Sequence, residues 1–213
     1  MWTNEAHFFP SSFTCRDKMD IPNDHVTVLY AGALGSAQGL ETFLDAVARV
    51  GDLPLTVLIA GGGTESTSLQ DRARALGLKN VLFLGPVPAE HMSNLMAAGD
   101  IHLVSLGPGP LSDVTLPSKL QATMASGRPI LAIGGTDLAS TVRAAGAGYD
   151  CPSGAIDAIA ATLRMVAAAG RPALDALGEN AREYYDREFS ARVGVDRVER
   201  ILREAVNRKG SNV

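Results

Sequence analysis

The sequence has few of the features that mark secreted, membrane or nucleic-acid-binding proteins. It has two cysteines, Cys15 and Cys151, whose separation fits no metal motif and is typical of a reducing compartment. Lys and Arg number 19 against 23 Asp and Glu, so general attraction to nucleic acid or anionic lipid is not expected. No apolar run approaches the roughly 18 residues that span a bilayer, and the first residues lack a secretory pattern. These absences predict a cytoplasmic protein.

Aromatic residues are also scarce, at 5%, but 46% of the chain is hydrophobic, which excludes a mainly disordered protein. Short β-branched runs alternate with amphipathic helical patterns. The predicted strands cover residues 26–31, 55–60, 81–84, 101–106, 130–133 and 148–150. Helices are predicted between them, among others at 65–76, 90–98, 117–127 and 136–145. Because the strands are apolar on both faces, this order predicts an α/β fold with a doubly wound, mostly parallel six-stranded sheet.

The ends of the chain do not follow this alternation. Residues 1–23 contain polar and proline breaks around His7–Pro10 and are predicted to be a linker with one small hydrophobic anchor. Residues 24–170 are predicted to form the Rossmann-like domain. Residues 171–213 are predicted to add charged C-terminal helices with apolar faces.

Glycine-rich loops follow the first two predicted strands, at 32–35 and 61–63. In a doubly wound sheet both loops lie at the carboxyl edge, where a backbone without Cβ atoms can approach a ligand. Such loops also occur simply as tight turns. The first loop does not have the G-x-G-x-x-G spacing of nicotinamide dinucleotide sites, and no Walker phosphate loop is present. An oxidoreductase is therefore disfavoured.

A third loop ends at Pro117, which suits the first turn of a helix. Ser118 and Lys119 follow it, so a hydroxyl and a cation join the free N–H groups of a helix start, an arrangement that attracts phosphate. The alternative is that Lys119 is an ordinary solvated lysine. Residues 85–87 and Ser105, also at strand ends, are candidates for holding a base or ribose.

The remaining titratable residues do not suggest a catalytic group. His91 is predicted to lie on the surface and His102 to be packed in the interior, because neither has a partner at a recognisable spacing. Neither a Ser-His-Asp set nor a Cys-His set is present in the sequence. The sequence predicts no metal site, and the catalytic residues stay unknown.

Seven stretches, taken in order, resemble the C-terminal, donor-binding half of family 4 glycosyltransferases, which have the GT-B fold. Within them, residues 117–120 and 124–130 resemble the branch of N-acetylfucosaminyl and related transferases of O-antigen and capsule assembly. The resemblance covers nearly the whole chain from residue 24. The stretches are 30–43, 59–63, 81–88, 98–104, 117–120, 124–130 and 188–190.

The resemblance implies a nucleotide-sugar donor, here a UDP-sugar, and a retaining transfer of a hexosyl or N-acetylhexosaminyl group to a saccharide or lipid-linked acceptor. It implies no metal or other cofactor. The implied donor-binding residues lie near the diphosphate and sugar, around the base, or at the phosphate. They are, in that order, Gly32, Gly35, Gln38 and Gly63; Gly85 and Val87; and Ser118 and Lys119.

Three positions depart from the family pattern. Gln38 stands where the family commonly has a lysine on the diphosphate, and Val114 and Ala122 stand where it has two carboxylates, the second on the ribose hydroxyls. Asp113 is a candidate substitute for the first carboxylate, and Lys119 for the lysine. An alternative hypothesis is therefore a binding or scaffolding domain that has lost catalysis.

Family members have two Rossmann-like domains, and the N-terminal one binds the acceptor. This chain has material for one, so the resemblance implies an acceptor domain in a longer chain or a separate subunit. The single domain is expected to be inactive alone. No nucleic-acid partner is expected, and any peripheral membrane contact is expected only through the missing half.

Overall fold

A computed structural model describes residues 3–11, 16–109 and 112–210, which leaves Cys15 outside the described part. Six strands form one sheet in the order β3-β2-β1-β4-β5-β6, and every neighbouring pair is parallel. This confirms the predicted doubly wound α/β fold. The strands are β1 Val26–Ala31, β2 Leu55–Ala60, β3 Val81–Gly85, β4 Ile101–Ser105, β5 Ile130–Gly134 and β6 Gly148–Pro152.

Helices cover both faces of the sheet and continue beyond it. The predicted helix at 90–98 is shorter in the structure, where a 3₁₀ turn at Ala89–His91 precedes five α-helical residues. The helix predicted from Pro117 begins one residue later, because the extended backbone of Pro117 makes it the N-cap. The helices are α1 Leu40–Ala48, α2 Ser66–Ala75, α3 Met92–Met96, α4 Ser118–Ala125, α5 Thr136–Ala145, α6 Ile156–Ala169, α7 Arg171–Glu188 and α8 Ala191–Gly210.

Strand β1 lies at the centre of the sheet and is buried on both faces. Val28 and Tyr30 join the core cluster that includes α1 and α6, whereas Leu29 joins a second cluster with α3 on the opposite face. This double burial explains why the strand reads as a continuous apolar run instead of an alternating one. A third cluster joins β5 to α4, α5 and α7.

The order of strands reverses at the boundary between β1 and β4. Strands β2 and β3 are added on one side of β1, and the chain then crosses back so that β4 pairs with β1 on the other side. These strands are neighbours, with Leu29 opposite His102, but the helices that follow them lie on opposite faces. In open α/β sheets, ligands bind in the crevice that such a reversal leaves at the carboxyl ends of the strands. The loops after β1 and β4 therefore lie where a ligand site is expected.

The described part of the predicted linker lies against the domain. Phe8 packs against two core clusters of the domain. The buried Ser93 hydroxyl donates to the carbonyl of His7 at 2.7 Å. Arg16 pairs at 2.8 Å with Asp100, whose carboxylate also accepts the Thr27 amide of β1. These contacts hold the incoming segment against α3 and the sheet.

The last two helices differ in how they are packed. Helix α7 buries Leu174, Ala181 and Tyr185 against the domain, and its Gly178 lies so close to the Gly127 carbonyl that a Cβ atom would collide with it. Helix α8 instead leaves Val195, Val198, Ile201 and Leu202 about half exposed. Within the described residues, no helix combines the length and the apolar character that crossing a bilayer requires.

Candidate functional site

The glycine-rich loops at the carboxyl edge are joined by backbone hydrogen bonds. The amide of Gly32 donates to Ala60, that of Leu34 to Gly62, and that of Gly61 to Gly85, all at 2.8–2.9 Å. Gly61 has a φ of +138°, and a Cβ atom there would collide with the carbonyl of Gly32. The loops after β1, β2 and β3 therefore form one continuous rim, in which close backbone contact requires glycine.

The loop after β1, residues 32–39, presents hydrogen-bond donors to its surroundings. Each carbonyl from residue 33 to residue 38 accepts a hydrogen bond. The donors are, in order, the Tyr30 hydroxyl, the amides of Glu65, Gln38, Gly39 and Gly107, and the Ser105 hydroxyl. The amides of Ala33, Ser36 and Ala37 find no acceptor among the described residues. Because polar backbone groups are normally paired, this imbalance favours an anionic ligand.

Lys119 brings a cation to the same loop. Its side chain crosses over Gly32 so closely that a Cβ atom on Gly32 would collide with the Lys119 Cε atom. The Lys119 Nζ atom lies 4.8 Å from the centre of the Tyr30 ring, within cation–π range. Burial lowers the pKa of Lys119. The ammonium group is therefore poorly hydrated and would gain from an anionic partner.

The first turn of α4 adds further donors. Pro117 caps the helix with an extended backbone, and no side chain bonds the first amides. The Leu120 amide donates to Pro117 at 2.9 Å, whereas the amides of Ser118 and Lys119 have no acceptor among the described residues. These amides carry the partial positive charge of the helix N-terminus. The predicted phosphate-binding elements therefore lie beside the β1 loop.

A cavity of about 310 Å³ opens at this point and runs between α3 and α4 toward the sheet. Gly32, Ser118, Lys119 and Ala122 line its polar end. Leu29, Met92, Met96 and Phe8 give the deeper part an apolar lining. Lys119 is the only Lys or Arg that lines this cavity in the described part of the chain. Pockets with a few polar groups and an apolar floor are typical of small-molecule sites.

The structure thus brings together Gly32, Ser118 and Lys119 from the predicted set. Gly35 faces a smaller depression beside Glu41 and Glu65, on the other side of the loop.

The other glycines of the set lie on the joined rim. Gly63 contacts the Leu34 carbonyl so closely that it has no room for a side chain, whereas Gly85, with a φ of +70°, faces open space.

Two further residues of the prediction have distinct surroundings. Val87 packs its side chain against the cluster around α3, and its backbone N–H and C=O find no partner among the described residues. These groups are available to a base. The amide oxygen of Gln38 accepts the Gly35 amide at 3.0 Å. The side-chain oxygen of Gln38 is therefore bonded within its own loop.

Two residues considered for ligand contact face elsewhere. Ser105 is 1% exposed, and its hydroxyl donates to the Gln38 carbonyl at 2.6 Å, so it is not open to a base or ribose. The Asp113 carboxylate accepts the Thr136 amide at the start of α5. Val114 is 68% exposed. The carboxylate adjacent to Val114 therefore serves as a helix cap in this structure.

The histidines follow the sequence-based predictions. His91 is exposed, and His102 is buried with its Nε2 atom 2.9 Å from the Met96 carbonyl. Burial lowers the pKa of His102 to about 3, so the ring is neutral. Among residues 3–11, 16–109 and 112–210, no three His, Cys, Asp or Glu side chains are grouped closely enough to hold a metal ion.

Sequence reasoning missed the role of Tyr30 in the rim. Its ring contacts Lys119 and its hydroxyl donates to Ala33 at 2.5 Å, although Tyr30 is wholly buried. The available signal was a tyrosine two residues before a glycine loop, near the end of a strand with no other aromatic residue.

Comparisons with known proteins agree with this architecture. The profile of the family described as glycosyl transferases group 1 matches residues 12–184. The chain is 31% identical over 197 residues to WcaI of Escherichia coli K12, whose name describes it as a glycosyl transferase of colanic acid biosynthesis. That match covers 90% of this chain but 45% of WcaI, so the chain spans less than half the length of this relative.

Solved structures show the same fold. The C-terminal domain of LpcC, a group 1 family glycosyl transferase from Francisella tularensis, matches with a TM-score of 0.72 at 16% identity. The match covers 89% of this chain and 99% of the LpcC domain. HepE of Anabaena in complex with UDP matches with a TM-score of 0.74 at 19% identity, covering 89% of this chain and 51% of HepE.

Proposed function

The chain belongs to the group 1 glycosyl transferases, and we propose that it binds the UDP-sugar donor of such an enzyme. The proposed reaction is retaining transfer of a hexosyl or N-acetylhexosaminyl group to a saccharide or lipid-linked acceptor in polysaccharide biosynthesis. This is the activity that the resemblance to family 4, and to its N-acetylfucosaminyl branch, implies.

One observation carries the proposal. The side chain of Lys119 lies over Gly32, so its poorly hydrated ammonium group joins the start of α4 to the β1 loop, and both of these elements carry amides that find no acceptor among the described residues. Hydrogen bonds between charged groups and such donors contribute about 1.5–3 kcal/mol each. A diphosphate is the ligand that would satisfy this set without requiring a metal ion. We therefore assign the diphosphate to the rim between Gly32 and Lys119.

The rest of the donor extends from this point. The unpaired backbone groups of Val87 are suited to the edge of a uracil base, and Gly85 leaves room for it to approach. The choice of a UDP-sugar as the ligand is supported by HepE, which has been solved with UDP and, in another structure, with UDP-glucose. The name of WcaI, a glycosyl transferase of colanic acid biosynthesis, supports a role in polysaccharide biosynthesis.

The acceptor is proposed to bind another domain. The chain spans less than half of WcaI, and the LpcC domain that it matches over nearly its full length is a C-terminal domain. We propose that the acceptor half belongs to a longer chain or to a separate subunit. The present domain would then bind a donor without transferring its sugar.

Isothermal titration calorimetry tests the proposed function. We expect UDP, UDP-glucose and UDP-N-acetylglucosamine to bind, uridine to bind much more weakly, and NADH not to bind. Uridine has the base and ribose of UDP but none of its phosphate charge, so the comparison measures the contribution of the rim. A folded sample that gives no heat with any uridine nucleotide would overturn the proposal.

Replacement of Ala122 by glutamate is expected to tighten UDP binding about tenfold, because one charge-assisted hydrogen bond contributes about 1.5–3 kcal/mol before desolvation. Ala122 lies one helical turn after Ser118 and Lys119 and lines the same cavity. The new carboxylate would reach the ribose hydroxyls, where the family places one. Calorimetry with UDP and 2′,3′-dideoxy-UDP measures the effect.

The matched control for this substitution is Ala122→Gln, which has the same length without the charge. We expect it to give less than a threefold change. A glutamate variant that binds dideoxy-UDP as tightly as UDP would show that position 122 does not face the ribose.

A scaffold domain without catalysis is a second candidate function. It is favoured by the inward position of Gln38, whose oxygen is bonded to Gly35, and by the absence of carboxylates at positions 114 and 122. Calorimetry separates the two: donor binding favours the transferase reading, and a folded protein that binds no nucleotide favours the scaffold.

A further inference from the structure

Two buried hydroxyl groups bind the loop after β1, residues 32–39, near its two ends. Tyr30, on β1, donates its hydroxyl proton to the carbonyl of Ala33 at 2.5 Å. Ser105, at the end of β4, donates to the carbonyl of Gln38 at 2.6 Å. The Tyr30 side chain is wholly buried, and Ser105 is 1% exposed, so neither hydroxyl contacts a ligand directly. Both act on backbone atoms of residues 32–39.

Backbone contacts with the loop after β4 also hold the loop after β1. The Gly107 amide donates to Ala37 at 2.8 Å, and Gly39, with a φ of +62°, has no space for a Cβ atom beside Gly107. The end of β4 and the loop after it therefore support the C-terminal end of the loop after β1. Ser105 begins this support, since it is the last residue of β4.

The two hydroxyls also determine which polar groups the loop presents. A hydroxyl can donate one proton, and in both residues that proton goes to a loop carbonyl. With the carbonyls of Ala33 and Gln38 occupied in this way, the backbone groups between residues 33 and 38 that find no partner among the described residues are the amides of Ala33, Ser36 and Ala37. A carbonyl released from its hydroxyl could rotate toward the ligand and repel a phosphate. The hydroxyls therefore favour an anion over a neutral ligand.

We propose that Tyr30 and Ser105 are positioning residues for the donor diphosphate: each fixes a carbonyl of the 32–39 loop so that the loop amides face the ligand. This inference rests on the proposed function, because it assigns the diphosphate to the same rim. It gives Tyr30 and Ser105 a role that the resemblance does not assign to them. Tyr30 has a second connection to the site, because its ring also supports the Lys119 ammonium group.

The chain contains a matched control for Ser105. Ser126 is also buried, at 2% exposure, but its hydroxyl oxygen has no hydrogen-bond partner in the described part of the protein. Ser126 lies at the far end of α4, away from the loop. Ser105→Ala and Ser126→Ala remove the same atom from a buried site, and only the first removes a bond to the loop. Tyr30→Phe removes the hydroxyl of Tyr30 and keeps the ring that contacts Lys119.

Two measurements on the full chain test the proposal. Calorimetry gives the ratio of the uridine Kd to the UDP Kd. We expect this ratio to fall about three- to tenfold in Ser105→Ala and in Tyr30→Phe and to change less than twofold in Ser126→Ala. Loss of general stability would weaken both ligands equally and leave the ratio unchanged. Amide hydrogen exchange without ligand is expected to be at least fivefold faster for residues 32–39 in the two loop variants alone.

The outcomes separate this inference from the proposed function. Wild-type protein that binds no UDP would refute the proposed function and, with it, the positioning role. The exchange data would then still decide whether the hydroxyls hold the loop. Wild-type protein that binds UDP, together with unchanged ratios in Ser105→Ala and Tyr30→Phe, would overturn the positioning role alone. Restoration of the wild-type ratio by Ser105→Thr, which keeps the hydroxyl, would further support it.

Discussion

Lys119→Met is expected to weaken UDP binding roughly 10- to 100-fold, which corresponds to about 1.5–3 kcal/mol for one lost charge-assisted contact. Lys119 is the only Lys or Arg that lines the cavity within the described residues, so no neighbouring cation replaces it. Methionine keeps the apolar stem over Gly32 and removes the charge. Calorimetry with UDP and uridine measures the effect, which should be confined to UDP.

The control for this substitution is Lys79→Met. Lys79 is exposed on the turn before β3 and borders none of the loops that form the rim. We expect it to change the Kd for UDP less than twofold. If both methionine variants weaken UDP binding equally, the contribution is general electrostatic attraction and the assignment of the diphosphate to Lys119 is wrong.

The pH dependence of binding provides an independent check. Burial lowers the pKa of Lys119, so its ammonium group loses its proton at a lower pH than a solvated lysine does. The protonated form binds the diphosphate, and UDP binding should therefore weaken as the pH rises through this lowered pKa. Lys119→Arg, which keeps its charge throughout this range, should remove the alkaline decline. A decline that persists in the arginine variant would assign it to another group.

The fold could be predicted from the sequence because it depends on burial patterns that single residues report. Runs such as 26–31 and 55–60 are apolar on both faces, which only strands in the interior of a covered sheet require. The predicted helix boundaries are less accurate where they depend on backbone conformation and not on burial. Pro117 is the N-cap because its ψ of 140° is extended, and the pattern of apolar residues does not contain this information.

The candidate site could be predicted only in part. The pairing of Lys119 with the glycine rim follows from the rule that strand ends share one edge, and the structure places them together. The direction of a side chain within a loop does not follow from such a rule. Gln38 accepts a hydrogen bond from Gly35, Asp113 caps α5, and Ser105 donates to the carbonyl of Gln38. The direction of Gln38 depends on the local conformation of its loop, whereas those of Asp113 and Ser105 depend on contacts between segments far apart in the sequence.

His102 is expected to make the folded protein lose stability as the pH falls below about 6.5. The native ring is buried, donates to Met96, and has a pKa lowered to about 3, whereas the unfolded ring takes up a proton near pH 6.5. Between these values the unfolded state binds more protons and is favoured. At pH 5 the free energy of unfolding is lowered by about 2 kcal/mol. This loss depends on the pKa of the unfolded ring alone as long as the native ring stays neutral.

Urea unfolding at pH 7.5, 6 and 5 measures this effect, with His102→Gln as the variant, because glutamine can also donate to the Met96 carbonyl. Carboxylates titrate in the same range, so the evidence is the difference between variant and wild type and not the slope itself. His102→Gln should lose about 2 kcal/mol less between pH 7.5 and 5 than wild type does. His91→Gln, at an exposed position, should follow wild type. Equal losses in all three proteins would mean that His102 is protonated in the folded state at pH 5. The cavity between α3 and α4, which His102 lines, would then have to accommodate a charge beside Leu29 and Met96.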